Sequence, residues 1–254
     1  MSRLVEYMRR HPFPVVAWFE RVVAVSFAFP EETLRPLVPK GLEIDCHEGF
    51  GFVTVAMVWT KNLRPAGFPA FLGQDFFLAG YRVFTRLNDG DRRLRGLKIV
   101  RSETDRRRMV WLGNLMTHYR YRHVNVRIHE ANGTTRVETL LADGTPTLDL
   151  AFAPQDDAAP LPEGSPFGDW HTARRFAGPM PFTFSAENEN TFVVIEGSRR
   201  DWAPRPVSIK EWYVGLFDEA PLRGTKPILA NAFAVSGVFY RWKRGRIVRI
   251  GGEV

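Results

Sequence analysis

GFVTVAMVW, residues 51–59, is the stretch that decides the fold class. Apolar and variable positions alternate with a period of two and several residues are β-branched, the pattern of a strand and not of a helix. Working outward, VVAVSFAF (22–29) and AGYRVFTRL (79–87) read the same way, and further strands are expected at 96–101, 119–128, 136–142, 147–152, 191–198, 207–213 and 238–242. Asn88-Asp89-Gly90, Asn132-Gly133 and Asp143-Gly144 lie between them and tolerate the positive φ that hairpin turns require. The chain is expected to be mainly β, with antiparallel strands and few helices.

Two helical segments stand out. Pro30-Glu31-Glu32 opens a short one with acidic residues at its positive end, and Pro39-Lys40-Gly41 closes it. A second is expected to take Ser102, Thr104 or Asp105 as N-cap and to present Met109, Leu112 and Met116 on one face. Residues 153–181 are rich in proline, glycine and aspartate and lack periodicity. Strands resume on both sides, so this segment reads as a long crossover inside a single domain covering 1–254.

Composition narrows the function classes. A chain of 254 residues that is 44% hydrophobic and 25% charged has ample core and is neither disordered nor fibrous. Its single cysteine, Cys46, excludes an internal disulfide or a cysteine zinc cluster. No apolar run approaches spanning length and the N-terminal segment lacks a cleavable-signal pattern, so a cytoplasmic protein with no membrane partner is expected. The net charge of +7 attracts anions. The arginines that supply it are scattered, which argues against nucleic acid and for a small anionic metabolite. No phosphate loop, Gly-x-Ser-x-Gly elbow or His-Glu-x-x-His helix occurs, and the one close histidine pair, His118 and His123, falls on opposite strand faces. No metal and no cofactor is implied.

FPEETLRPLVPKGLEI (29–44) and WYVGLFDEAPLRGTKPILANAFAVSGVFYRWKRG (212–245), with the helix at 105–116 between them, resemble in that order the acetoacetate decarboxylases. The likeness runs from about residue 15 to 250. It implies a conical, barrel-like and mostly antiparallel sheet enclosing a ligand cavity, with lyase-type chemistry. In that family a lysine, in a Tyr-Pro-Lys-Lys stretch after the helix, forms an imine with a β-keto acid. Here the corresponding text is His118-Tyr119-Arg120-Tyr121, and no lysine lies between Lys98 and Lys210. A guanidinium stays protonated and cannot replace the amine. The chain therefore resembles the uncharacterised bacterial branch that lacks the lysine, and classical decarboxylation is not expected of it. The resemblance also carries Arg21, matching a carboxylate-binding arginine, and Asp75, near an acidic cavity residue.

Strand alternation puts His118, Arg120 and Arg122 on one face and Tyr119, Tyr121 and His123 on the other. If the first face turns inward, Arg120 offers a fork to a carboxylate and His118 moves a proton; otherwise the strand is simply half-exposed. Arg82 interrupts an apolar strand, which is costly unless it meets an anion or pairs with Asp75 or Glu103. Lys98 either supplies an amine from another wall or faces water. Trp59, Trp111, Trp202 and Trp212 read as core or cavity lining, while Trp170-His171 and Arg174-Arg175 would cover the mouth if the crossover is a lid. The expectation is thus an enzyme in which Arg21, Arg82 and Arg120 bind a small anionic carbonyl metabolite. His118 with Tyr119 or Tyr121 would handle protons in lyase, hydratase or isomerase chemistry. The alternative is a non-catalytic binding protein with the same cavity. A homo-oligomer is compatible with either.

Overall fold

The computed structural model describes residues 3–156, 159–176, 178 and 180–250. The chain runs through α1 (Arg3–Arg9), β1 (Val15–Pro30), α2 (Glu31–Leu34), β2 (Leu42–Ile44), β3 (Phe50–Pro65), β4 (Gln74–Asp89), β5 (Arg92–Thr104) and α3 (Arg107–Met116). It continues with β6 (Tyr121–His123), β7 (Asn125–Ala131), β8 (Thr134–Leu140), β9 (Pro146–Pro154), α4 (Trp170–Ala173), β10 (Phe182–Asn188), β11 (Thr191–Arg199), β12 (Arg205–Val214), β13 (Ile228–Trp242) and β14 (Arg246–Arg249).

Side-chain size sorts the faces of the long strands. On one face of β1, β3 and β4, Val23, Val25, Phe27, Val53, Val55, Met57, Tyr81 and Val83 enter one large core. On the other face smaller residues recur, among them Ala24, Ala28 and Ala56, in two separate clusters. That second face is the inside of a ring. The fourteen strands form one sheet in which β1, β3, β4, β5, β10, β11 and β13 close on themselves, the last seam being the short β11–β13 ladder. β12, β9, β8 and β7 extend the sheet beyond β13 and fold over the outer face. Val137, Leu148, Leu150 and Phe152 thereby join the same core as the outward residues of β1 and β3. The fold is the mainly β, ring-like sheet expected from the sequence; β5 pairs in parallel with β10 and with β6, and the other ladders are antiparallel. Asn132 and Gly133 take φ of 50° and 74° between β7 and β8, the two-residue turn the sequence called for.

One end of the ring is plugged by the crossover. Phe176 packs on Phe52 at 4.6 Å, on Phe84 at 5.3 Å and on Phe167 at 5.4 Å. The inserted backbone is satisfied by the ring: Ser26 Oγ donates to the Phe176 carbonyl at 2.8 Å and Asn231 Nδ2 to that of Ala173 at 3.2 Å. Phe167 and Phe176 of the segment therefore fill one end of the interior, and its Met180 forms part of the cavity wall. Trp170 packs on Phe233 at 5.3 Å, while His171, Arg174 and Arg175 are exposed. Residues 157, 158, 177 and 179 of the crossover lie outside the described residues.

Other boundaries also differ from the sequence reading. β5 continues through Ser102 and Thr104, so α3 starts at Arg107 with Arg106 as its N-cap. The Asp105 carboxylate accepts the Phe77 N–H at 2.9 Å instead of capping the helix. Trp111 is 66% exposed and is not core. No helix among the described residues is long and apolar enough to cross a membrane.

The β5–β10 seam depends on Gly96, where a Cβ would stand 2.5 Å from the Phe182 carbonyl oxygen and 2.6 Å from the Phe184 ring. Gly96→Ala must spread this seam and is expected to cost about 1–3 kcal/mol, read as a lower midpoint in denaturant unfolding at unchanged slope.

Candidate functional site

Away from the plug the ring is hollow. A cavity of about 400 Å³ is lined by the near ends of β1, β3, β4, β5 and β13, and by α3 and residues 68 and 72. Its walls are mostly apolar, and among the described residues no aspartate, glutamate, lysine or cysteine lines it.

Arg82 is the charged group inside. Its guanidinium lies over Gly80, where a Cβ would be 3.1 Å from Nε and 3.2 Å from Nη2. Nε is fully buried without a hydrogen-bond partner. The two acids that the sequence offered as partners are engaged elsewhere. Asp75 is exposed, accepts the Asn62 N–H at 2.8 Å and lies 3.5 Å from Lys61. Glu103 is fully buried on the outer side, held by the Tyr81 hydroxyl at 2.9 Å, Thr147 Oγ1 at 2.9 Å and Arg122 Nε at 2.9 Å. Burial pulls the Arg82 pKa down, opposed by the phenols of Tyr240, Tyr121 and Tyr119, but a guanidinium remains a cation at neutral pH.

Three tyrosines surround this cation, each positioned by local structure. Tyr119 shares a hydrogen bond with Thr183 Oγ1 at 2.9 Å, and burial pushes its pKa up to about 12. Tyr121 is pinned by Asn114 of α3, whose Oδ1 accepts the Tyr121 N–H at 2.8 Å and whose Nδ2 donates to its carbonyl at 2.9 Å. Its ring occupies space that only a glycine leaves free, since a Cβ on Gly113 would be 2.3 Å away. The Tyr240 oxygen likewise sits where a Cβ of Gly197 would be, at 2.2 Å. Burial raises the pKa of Tyr121 and of Tyr240, so all three phenols are neutral hydrogen-bond donors at physiological pH.

Of the residues singled out from the sequence, the structure brings Arg82, Tyr119 and Tyr121 together and leaves the others outside. Residues 118–123 are not one continuous strand, since Arg120 adopts φ of 53° and β6 begins only at Tyr121, and it is the side carrying Tyr119 and Tyr121, not that of His118 and Arg120, that lines the cavity. Arg120 is exposed and does not line the cavity. His118 is half-buried outside it, with Nε2 unpartnered and a pKa lowered by burial and then by Arg9. Lys98 lies between Leu97 and Ile99, which line the cavity, and itself does not. Burial, then the Arg120 charge, lowers its pKa to about 8. Arg21 is on the outer face, 3.2 Å from Glu130 and stacked over Phe152 at 5.0 Å and Trp59 at 5.5 Å. Asp75 is at the surface, as described above.

Sequence reasoning missed Tyr240 and His11. Tyr240 alternates correctly within β13 but carried no distinguishing motif. His11 has φ of 55°, is buried, lines the cavity and keeps Nδ1 unpartnered. Burial lowers its pKa to about 4, against the backbone carbonyls of Lys243 and of His11 itself. Its only sequence signal was being a histidine in a segment without periodicity.

The model of the DUF2071 family, described as an uncharacterized conserved protein, matches residues 17–236. No curated protein matches the chain. Among solved structures, acetoacetate decarboxylase from Legionella pneumophila superimposes with a TM-score of 0.64 at 10% identity, covering 93% of this chain and 88% of that one. An acetoacetate decarboxylase-like enzyme from Sphingomonas wittichii RW1 gives 0.59 at 12% identity, covering 93% and 92%. The enduracididine biosynthesis enzyme MppR, complexed with pyruvate, gives 0.59 at 11% identity, covering 93% and 90%. These likenesses establish a shared fold.

An unpaired buried charge is a cost the empty protein bears. Arg82→Met is therefore expected to leave stability unchanged or raise it by about 1–4 kcal/mol in ligand-free denaturant unfolding; a large loss would mean that Arg82 has a structural partner. His11 makes the opposite contribution on acidification. Its folded pKa lies below the unfolded 6.5, so the unfolded chain gains the proton first and stability drains as pH falls from 6.5 toward 4. Wild type should lose up to about 3 kcal/mol more than His11→Gln across that window in pH-dependent unfolding.

Proposed function

The chain belongs to the DUF2071 family, and from that premise we propose that it binds a small anionic carbonyl metabolite in the ring cavity and acts on it without a lysine imine. The observation that carries this reading is Arg82, half-buried on the wall of a mostly apolar hollow, with its Nε enclosed and without a hydrogen-bond partner. A carboxylate would supply the missing anion in a bidentate geometry. The carbonyl of the same acid then meets Tyr119 and Tyr121. Because their protons are held well above neutrality, these phenols donate to the carbonyl oxygen and stabilise negative charge developing there, and they do not act as bases. Such polarisation serves lyase, hydratase or isomerase chemistry. Pyruvate, held by MppR on the same fold, is an acid of the appropriate kind.

A second reading, a non-catalytic binding protein using the same cavity, is favoured by one observation. No carboxylate lines the cavity, and His11, with its pKa near 4, is a weak base, so proton abstraction has no strong agent among the described residues. Turnover of a bound acid separates the two.

Thermal unfolding with increasing pyruvate, acetoacetate and related oxo acids tests the shared premise. A bound acid should stabilise the protein by about 2.7 kcal/mol at a hundred times its Kd. Arg82→Gln should abolish the response and Arg120→Ala, outside the cavity, should keep it. An equal response in Arg82→Gln would remove the anion site. In parallel, cyanoborohydride trapping with the same acids should leave the protein mass unchanged; an adduct on Lys98 would overturn the imine-free reading.

A further inference from the structure

Resting on the reading of Arg82 as the carboxylate anchor, the geometry points to a more specific ligand class: a monocarboxylic acid with an apolar body of about eight to ten carbons. Strand β4 provides a ruler along the cavity. Arg82, Gly80, Leu78, Phe76 and Gln74 are alternate residues of one strand and all line it. The Arg82 side chain folds back over Gly80, so its charge is carried toward Leu78 and Phe76. From Gly80 to Gln74 the wall runs for about 20 Å at ordinary strand rise.

The volume, and not the length of this wall, sets the size limit. At about 30 Å³ for a water-sized group, 400 Å³ holds about a dozen non-hydrogen atoms. Pyruvate or acetoacetate would occupy about half of that and leave the apolar part empty. Beyond Gly80 the walls are Leu78 and Phe76 on β4, Val58 on β3 and Leu112 and Met116 on α3. They offer no cation to a second carboxylate and no dense set of donors to a sugar or phosphate. Of the other lining arginines, Arg108 is exposed, and Arg64, half-buried like Arg82, is tied to the carbonyls of Phe68 and Asn62. Methionines at positions 109, 116 and 180 make the wall adaptable, so straight alkyl and aryl bodies both fit. At the rim, Phe68 and Leu72 are 53% and 48% exposed and extend the apolar path outward.

Isothermal calorimetry with a homologous series of straight-chain acids, acetate to dodecanoate, tests this class on the unmodified protein. Affinity should rise about threefold to fourfold per methylene and stop rising at about eight to ten carbons, where the cavity is full. Phenylpropanoate should follow the series, and suberate should bind at least tenfold more weakly than octanoate. Leu78→Trp, which narrows the path beyond Gly80, should move the break to shorter acids while acetate binding is retained. An affinity independent of chain length, or suberate equal to octanoate, overturns the apolar-body inference and leaves the anion site standing. Octanamide binding as tightly as octanoate, with Arg82→Gln without effect, overturns the anion site itself.

Discussion

The interior of a closed seven-strand ring must be filled or left hollow, and nearly everything else in this protein follows from where it is filled. A ring of about this size is just wide enough for side chains to meet across it or for one small ligand to enter. Several inward positions on β1 and β3 are small, Ala24, Ala28 and Ala56 among them, and the strands' own side chains leave the space partly open. At one end the crossover enters with Phe167 and Phe176 and is held by Ser26 and Asn231. At the other end no such plug enters among the described residues. Arg82 sits at the boundary: Phe84, two residues on along β4, packs on the plug, and Gly80, two residues back, lines the cavity.

That position sets Arg82 apart from the other buried charges. Asp45 is fully buried and is held by Arg86 at 2.8 Å and by Arg95. Glu103 is fully buried and held by Arg122, Tyr81 and Thr147. Both carboxylates have the partners that make a buried charge tolerable. Arg82 has three neutral phenols nearby and no counter-ion. Those two carboxylates are compensated by fixed partners, whereas Arg82 is left open toward the cavity, a pattern found at ligand sites. Glycines at 80, 113 and 197 make the arrangement sterically feasible, giving up their own side-chain volume to Arg82, Tyr121 and Tyr240.

The strands and hairpins were legible because each depends on local features: a period of two, and residues that accept positive φ. Arg82 was legible as an anomaly, an arginine inside an apolar strand. Its lack of a partner was not, because that depends on Lys61 and Asn62 engaging Asp75 and on Arg122 engaging Glu103, pairings set by three-dimensional packing. For residues 118–123 the grouping of Tyr119 with Tyr121 and of His118 with Arg120 was legible from alternation, but the direction was not: the tyrosine side, and not the side with Arg120, meets the cavity. Which side turns inward is set by the packing of Tyr121 against Gly113 of α3, a contact between separate elements. Residue 11 was illegible because it lies in no repeating pattern and gains its meaning from the backbone at Lys243. By contrast, β10 alternates over Phe182-Thr183-Phe184-Ser185-Ala186-Glu187 and was passed over beside the proline-rich crossover; only its parallel pairing near Gly96 depends on distant segments.

The same reasoning bears on the amine. Lys98 has the environment that makes an amine nucleophilic near neutrality, partly buried beside the Arg120 charge. It nevertheless stands on the face of β5 opposite to Leu97 and Ile99. Bringing it into the cavity requires a one-residue slip of β5, which would turn every side chain of that strand to the other face. The register is fixed on both sides, by Val83 of β4 and by Phe184 of β10 opposite Lys98, and at the second seam by the tight fit over Gly96. A slip would turn Leu97 and Ile99 away from the interior, pull Arg95 off Phe176 and Asp45, and drive Arg101 inward, away from Glu219. Sheet register thus keeps the amine out of the cavity, and any polarisation of a bound carbonyl there falls to a guanidinium and neutral phenols.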